Sequence, residues 1–204
     1  MLRKLALTIA LMTAIAATHD DAAAQYIAAP NGFAVGAMAG GVSFADSTNS
    51  LNFGFGAEAT IRWTFNGLQL IGGGGYNSVA VENLNSNRNV WTVFADLRLL
   101  MKTVPGIAPY IGGRIGYGWS SVDISELEIS NFTEAKQTGW IFAGVFGVLF
   151  PLSPNWAVDS TLTFGVAPFG DIEFNTGDKL PDSSTTGMTG SLKVGIVYSF
   201  TPYK

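Results

Sequence analysis

The chain has 204 residues, of which 48% are hydrophobic and only 13% are charged, and its net charge is −4. Charged residues make up about a quarter of an ordinary soluble domain, so this composition argues against that class. The chain contains no cysteine, which excludes disulfide bonds and thiol chemistry, and its acidic balance gives no support for nucleic-acid binding.

The N-terminus has the pattern of a secretory signal peptide. Two basic residues precede an apolar run over residues 5–17, which is too short to cross a membrane as a helix. Three alanines at residues 22–24 then favour cleavage before Gln25. We therefore predict a cleaved signal peptide over residues 1–24 and one mature domain over residues 25–204, with a retained N-terminal anchor as the alternative.

No later stretch is long and apolar enough for a transmembrane helix, which needs about 20 such residues. The longest candidate, residues 139–150, ends at Pro151. The remaining way for so apolar a chain to span lipid is a closed β-barrel, because every backbone N–H and C=O must be paired inside hydrocarbon.

Alternating apolar and polar residues predict eight β-strands after the signal peptide. The second strand is the clearest: from Leu51 to Phe65 the odd positions are apolar and the even positions are glycine or polar, and Asn66-Gly67 follows as a hairpin turn. The first and third strands are glycine-rich, so their two faces are hard to distinguish. We assign them mainly because an antiparallel barrel needs an even number of strands to close. In chain order the eight predicted strands cover residues 32–44, 51–65, 68–81, 91–101, 111–119, 139–150, 156–166 and 191–200.

The connections between these strands alternate in length, with short ones at residues 66–67, 103–108 and 151–155. Outer-membrane barrels have short periplasmic turns and longer outer loops. The predicted fold class is therefore an all-β, closed, eight-stranded antiparallel transmembrane barrel with both termini in the periplasm. The longer connections, which hold ten carboxylates against Arg88, Lys136 and Lys179, cover residues 45–50, 82–89, 121–136 and 168–186.

The polar faces of the strands carry small and charged residues, a pattern that fits a narrow lumen. A lipocalin-like or avidin-like soluble barrel is the alternative, and it would place its large apolar side chains inside. We predict that the inward charges pair with one another, because an unpaired charge in a narrow barrel is costly. They would close the lumen as a polar plug or, alternatively, line a narrow or gated cationic channel. The inward set comprises Glu58, Arg62, Asp96, Arg98, Arg114, Asp159 and Lys193.

All five tryptophans lie near strand ends, in two groups. Tryptophan prefers the level of the lipid headgroups, and a transmembrane barrel carries an aromatic girdle at each interface. We predict a periplasmic girdle with Trp63 and Trp156 and an outer girdle with Trp91, Trp119 and Trp140. This distribution favours the membrane barrel, because a soluble core would also place aromatic rings in the middle of strands.

Two segments resemble the OmpA/OmpX-type outer-membrane barrels. The first is the strand PYIGGRIGYG at residues 109–118. The second, near the C-terminus, is similar to the assembly signal of that family, so the resemblance implies recognition by the outer-membrane insertion machinery. The family usually ends at the final aromatic residue, whereas residues 201–204 follow here. The C-terminal pattern is a polar residue, a glycine and two spaced aromatic residues, namely Lys193, Gly195, Tyr198 and Phe200.

The residues give little basis for an enzyme, a cofactor or a metal site. His19, the only histidine, lies in the predicted signal peptide, so the mature domain has no histidine base. The glycine run at residues 72–75 lacks the Lys-Ser/Thr of a phosphate loop. The loop carboxylates show no ordered ligand spacing, so a solvated acidic surface is favoured over a divalent-cation site, for which the candidates are Asp123, Glu126, Glu128 and Glu134.

Three functions remain open at this point. The first is a structural barrel that supports envelope integrity, the second is a surface module that acts through the loops at residues 121–136 and 168–186, and the third is a small channel. The expected location is the outer membrane of a Gram-negative bacterium. The expected partners are outer-membrane lipid, lipopolysaccharide, the insertion machinery and an extracellular ligand at the loops, and we expect a monomer.

Overall fold

The computed structural model describes residues 30–45, 52–81, 86–101, 106–125 and 132–203. The described residues form eight long strands and two short ones. The predicted signal peptide, residues 1–24, lies outside them. In chain order the strands are β1 Gly32–Ala45, β2 Asn52–Phe65, β3 Leu68–Ala80, β4 Asn87–Leu100, β5 Ala108–Asp123, β6 Glu134–Pro151, β7 Trp156–Phe169, β8 Ile172–Phe174, β9 Lys179–Leu180 and β10 Thr185–Ser199.

The eight long strands close into an antiparallel barrel. Each strand from β1 to β6 pairs with the next one along the chain, and β10 then pairs with both β7 and β1. The predicted fold class is therefore confirmed. Closure leaves no long strand with an unpaired edge, which is the condition for a sheet to survive in hydrocarbon.

The alternation predicted for β2 is present in the structure and shows which face is outside. Phe53 and Ile61 are 66% and 64% exposed on the outer face, whereas Arg62, on the inner face, is 1% exposed. The other long strands follow the same pattern, with large apolar side chains outside. A soluble barrel would have the opposite orientation, so the lipocalin-like alternative is wrong.

The short turn after β2 has the predicted hairpin geometry. Asn66 and Gly67 both adopt positive φ angles, 49° and 85°. Asparagine and glycine tolerate these angles, and two-residue hairpins whose central residues both have positive φ match the twist of the flanking strands.

The strands extend further outward than predicted. Because β5 continues to Asp123 and β6 starts at Glu134, both ends of the predicted loop 121–136 are paired sheet. The predicted loop 168–186 contains β8 and β9, and β8 pairs with the outer end of β6 through Ala135 and Phe174. A small sheet of four strands therefore rises above one side of the barrel.

No helix among the described residues is long and apolar enough to cross a membrane.

Candidate functional site

The lumen at mid-height holds one connected group of charged side chains. The structure brings together all seven residues of the predicted inward set, from five different strands. They are Glu58 and Arg62 on β2, Asp96 and Arg98 on β4, Arg114 on β5, Asp159 on β7 and Lys193 on β10, and we call them the charged layer.

Asp159 is the centre of the periplasmic part of this layer. One carboxylate oxygen accepts hydrogen bonds from Arg62 at 2.5 Å and from Arg98 at 3.3 Å. The other accepts from the Tyr110 hydroxyl at 2.6 Å and from Thr161 at 3.2 Å. Asp159 is fully buried, so these four donors replace the water it has lost.

Asp96 and Glu58 join the two sides of the lumen through Arg114. Asp96 lies directly opposite Arg114 in the β4–β5 ladder and accepts from its Nε at 2.7 Å. Arg114 also donates to both oxygens of Glu58 on β2, at 2.8 and 3.2 Å. The second oxygen of Asp96 accepts from Arg98 at 2.7 Å, which connects this part to Asp159.

Lys193 completes the extracellular part of the layer. Its ammonium donates to Glu58 at 2.7 Å and to the side-chain oxygen of Asn77 at 3.0 Å. Glu58 therefore serves two cations, Arg114 and Lys193. Only 3% of the Lys193 side chain is exposed.

The periplasmic end of the lumen is mainly apolar, which the sequence reasoning missed, although Thr64 and Gln69 also lie buried at this end and bond to each other at 3.0 Å. Small and medium apolar side chains fill it below the charged layer, and Tyr203, from the segment after β10, packs against them. The backbone N–H of Tyr203 bonds to the carbonyl of Pro154 in the short turn between β6 and β7. This apolar layer comprises Ala34, Leu100, Ala108, Tyr110, Val145, Leu149, Ala157 and Val197.

Above the charged layer the lumen opens into a cavity of about 70 Å³, which we call the outer chamber. Glu58, Asn77, Arg114 and Lys193 contribute to its lining, and most of the remaining lining is apolar or hydroxyl-bearing.

Arg88, Phe44 and Phe169 lie at the extracellular end of the outer chamber. The guanidinium of Arg88 stacks on both rings, at 4.6 and 4.9 Å from their centroids, and the two rings meet edge to face at 5.9 Å. Arg88 also donates to Ser120 at 2.7 Å and to Gln137 at 2.9 Å. These contacts hold the three side chains together at the chamber lining, and we call them the cap.

The assignment of Arg88 to a loop was wrong. Arg88 is the second residue of β4, and it lies an even number of residues from Asp96 and Arg98, so its side chain is on the same inward face. Tyr110 was missed for a similar reason: it lies just before the predicted strand 111–119, although it is on the same inward face of β5 as Arg114. Extending the alternation of each strand by a few residues would have found both.

Glycine on a neighbouring strand makes room for Tyr110. A methyl group at Gly147 would overlap the Tyr110 hydroxyl and the Ser160 carbonyl. The small residue lets the phenol reach across β6 to Asp159. The inward glycines noted in the sequence thus leave space for long polar side chains.

The tryptophans lie on the outer face in the two predicted groups. At the outer end, Tyr76 contacts Trp91 at 4.8 Å, and Tyr117 contacts both Trp119 and Trp140, at 5.2 and 5.4 Å. At the periplasmic end, Trp156 meets Tyr198 at 5.0 Å, and Trp63 stacks on Phe65 at 6.0 Å. Each girdle therefore also contains tyrosine or phenylalanine side chains beside the tryptophans.

The C-terminal pattern divides between the two faces of β10. Lys193 points into the lumen, while Tyr198 and Phe200 contact each other at 5.4 Å on the outside. A methyl group at Gly195 would overlap the Ala37 carbonyl of β1, so this position admits no side chain without a backbone shift.

The acidic candidates for a divalent-cation site do not assemble in the described part of the chain. Glu126 and Glu128 lie outside it, Asp123 bonds to Ser125, and Glu134 pairs with Lys136 at 3.0 Å. No group of three or more His, Cys, Asp or Glu able to hold a metal occurs among the described residues. The glycine run at residues 72–75 lies within β3, and His19 is outside the described residues.

A closed barrel with an apolar outer surface and a polar lumen is the architecture of outer-membrane proteins. The sequence profile of the family described as "Outer membrane protein beta-barrel domain" matches residues 6–200. The chain belongs to this family. No curated protein matches the chain by sequence.

Solved outer-membrane barrels share the fold of this chain. Neisserial surface protein A, from Neisseria, is similar with a TM-score of 0.66 at 18% identity, covering 83% of this chain and 98% of its own. OprG from Pseudomonas aeruginosa has a TM-score of 0.51 at 13% identity, covering 86% of this chain and 99% of its own. At such identities the likeness extends to the fold alone.

Proposed function

We propose that this chain is an integral barrel of the Gram-negative outer membrane that supports envelope integrity and has no open channel. The observation that carries the proposal is the charged layer, whose ion pairs run across the lumen between β2, β4, β5, β7 and β10. An ion would have to displace these paired, buried groups in order to pass.

The apolar layer supports the same proposal. It lies on the periplasmic side of the charges, where Val145 and Ala157 are fully buried. Water and ions would find few hydrogen-bond partners in this layer, because most of its side chains are apolar. A solute would therefore meet two unlike barriers in succession.

The proposed partners follow from the outer surface. The apolar belt between the aromatic groups would contact lipid and lipopolysaccharide, and the insertion machinery would recognise the outward pair Tyr198 and Phe200 during assembly. Export would use the signal peptide at residues 1–24. The barrel would act as a monomer without a cofactor or enzymatic activity.

Planar-bilayer recording tests the closed lumen. Purified barrel, checked for folding by its heat-modifiable migration on gels, is inserted into a bilayer beside a general porin as the positive control. We expect no steady conductance from this barrel. A stable large pore would overturn the proposal.

A second candidate, a surface interaction module, is favoured by the sheet that rises above the barrel. Phe132, just before β6, and Phe174, in β8, stack at 4.3 Å. Six carboxylates and two lysines accompany it among the described outer residues: Asp123, Glu134, Asp171, Glu173, Asp178 and Asp182, with Lys136 and Lys179. An acidic surface of this kind suits a cationic partner.

One deletion separates the two candidates. Replacing residues 171–183 by a short Gly-Ser turn removes β8 and β9 and leaves the barrel strands intact. For the structural role, we expect this variant to restore detergent resistance to a strain that lacks the protein as fully as the unmodified chain does. Restoration of resistance by the full chain alone would favour the surface module.

A further inference from the structure

The charged layer carries one more cation than it has carboxylates. Its cations are Arg62, Arg98, Arg114 and Lys193, and its carboxylates are Glu58, Asp96 and Asp159, so its net charge is +1. Every member is at most 8% exposed at its side chain. A buried charge without a counter-ion is costly, so this surplus calls for an anion.

The ion pairs form one continuous chain, and its two ends are Arg62 and Lys193, each paired with a single carboxylate. Of these two cations, Lys193 is the one that lines the outer chamber. Asp159 and Asp96 bind Arg62, Arg98 and Arg114 from the periplasmic side, and Glu58 is shared between Arg114 and Lys193. An ammonium carries three donors, and that of Lys193 makes two hydrogen bonds, one to Glu58 and one to the neutral Asn77.

The outer chamber begins at this position. Lys193, Arg114 and Asn77 line it, and so do apolar side chains that include Val42, Phe94 and Ile141. One region of the lining therefore offers cationic N–H donors, while the walls offer hydrocarbon. The cap of Arg88, Phe44 and Phe169 lines the extracellular end of the chamber.

The size of the chamber limits its occupant. At about 10–15 Å³ per enclosed water, a volume of about 70 Å³ holds about five waters, or a molecule of about six non-hydrogen atoms. A small inorganic anion would leave the apolar walls without contacts.

We propose that the outer chamber binds a short-chain monocarboxylate. The carboxylate accepts hydrogen bonds from Lys193 and balances the charge of the layer. The alkyl chain packs against Val42, Phe94 and Ile141. The charged layer keeps the ligand from passing to the periplasm, so the chamber is a binding site and not a channel.

Calorimetric titration of the folded barrel in detergent micelles tests the proposal, with butyrate as the probe and butyramide as its uncharged isostere. We expect saturable binding of one butyrate and at least about tenfold weaker binding of butyramide, as for the loss of a charge-assisted hydrogen bond. Equal affinity for the two compounds, or no saturable butyrate binding, would overturn the proposal.

Variants locate the site. Lys193→Met removes the surplus charge, and Ala143→Leu fills the chamber without changing any charge; each should weaken butyrate binding at least about tenfold. Lys179→Met, on exposed β9, should leave binding unchanged. Because Ala143→Leu keeps the charged layer, it remains informative if Lys193→Met does not fold. Wild-type affinity in a folded Ala143→Leu barrel would place the ligand elsewhere and refute the assignment.

Discussion

The periplasmic and extracellular halves of the lumen are built differently although the same eight strands enclose both. The periplasmic half is solid: Tyr110, Leu149 and Val197 are at most 3% exposed, and Tyr203 packs beneath them. The extracellular half contains the outer chamber. Strand number sets the diameter of a barrel, but the volume of the inward side chains decides whether the lumen is filled.

The two halves should therefore respond differently to substitution. In the solid half a lost contact leaves a buried group without a partner and lowers stability. In the hollow half a lost contact opens a route to an existing cavity, so accessibility should change more than stability. Substitutions in each half test this division, and those in the solid half should change the free energy of unfolding most.

Replacing the central carboxylate should have the largest effect. Asp159→Asn keeps the shape of the side chain but leaves Arg62 and Arg98 without their shared anion. We expect the free energy of unfolding to fall by about 3–5 kcal/mol, as for other broken buried pairs. Urea unfolding in lipid vesicles measures the change, with exposed Asp171→Asn as the control. A loss no greater than that of the control would contradict the assigned role of Asp159.

Removing one neutral donor from the same carboxylate should cost less. Tyr110→Phe deletes the hydroxyl that bonds to Asp159 at 2.6 Å but keeps the ring on which Arg98 stacks at 4.7 Å. We expect a loss of about 1.5–3 kcal/mol, the usual value for a hydrogen bond to a charged group. The matched control is Tyr117→Phe on the outer face. Equal losses in the two variants would mean that the hydroxyl bond contributes little.

In the hollow half, truncation of the cap should change access more than stability. Since the chain has no cysteine, Thr163→Cys places a single thiol in the outer chamber. Adding Arg88→Ala removes the two stacking contacts of the guanidinium and its hydrogen bonds to Ser120 and Gln137. We expect a small methanethiosulfonate reagent to label the thiol at least several-fold faster.

The control for this experiment is Thr176→Cys, in the exposed turn between β8 and β9. The labelling rate of Thr176→Cys should be the same whether or not the Arg88→Ala substitution is also present. If the rate at Thr163→Cys is equally insensitive to Arg88, the cap does not limit entry to the chamber.

The sequence predicts the barrel well because lipid imposes a strict alternation. Over β2 every outward residue is apolar or aromatic, and each inward position is polar or glycine, so one strand suffices to set the face. The charged layer follows from the same parity. Its pairing across the lumen, such as Arg62 with Asp159, depends on strand stagger, which the alternation does not encode.

The two ends of the lumen were not predictable in the same way. Three apolar residues of the periplasmic half face inward, namely Val145, Leu149 and Val197. The alternation of apolar and polar residues assigns apolar side chains to the outer face, so it does not identify these three as inward. The outer chamber exists because the inward side chains at that level do not fill the lumen. No single residue type in the sequence predicts such a cavity. The hairpin of β8 and β9 forms by pairing with a β6 that is longer than its apolar run.

The smallest expected effect concerns the closure of the periplasmic mouth. Burial raises the pKa of the Tyr203 hydroxyl from 10.0 to about 12, with the nearby Arg62 opposing the shift. Below pH 10 the hydroxyl is neutral in both the folded and the unfolded chain, so it adds no pH dependence. Between pH 10 and 12 the unfolded chain releases this proton and the folded barrel retains it, so the barrel loses stability as the pH rises.

Tyr203→Phe removes the ionisable group and keeps the ring in place. We expect the variant to match the unmodified chain in urea unfolding at pH 7 and to lose less stability between pH 10 and 12. Parallel pH profiles for the two proteins would mean that Tyr203 is solvated at the periplasmic mouth. In that case the solid half of the lumen would end at Leu149 and Val197, and residues 201–203 would lie outside the seal.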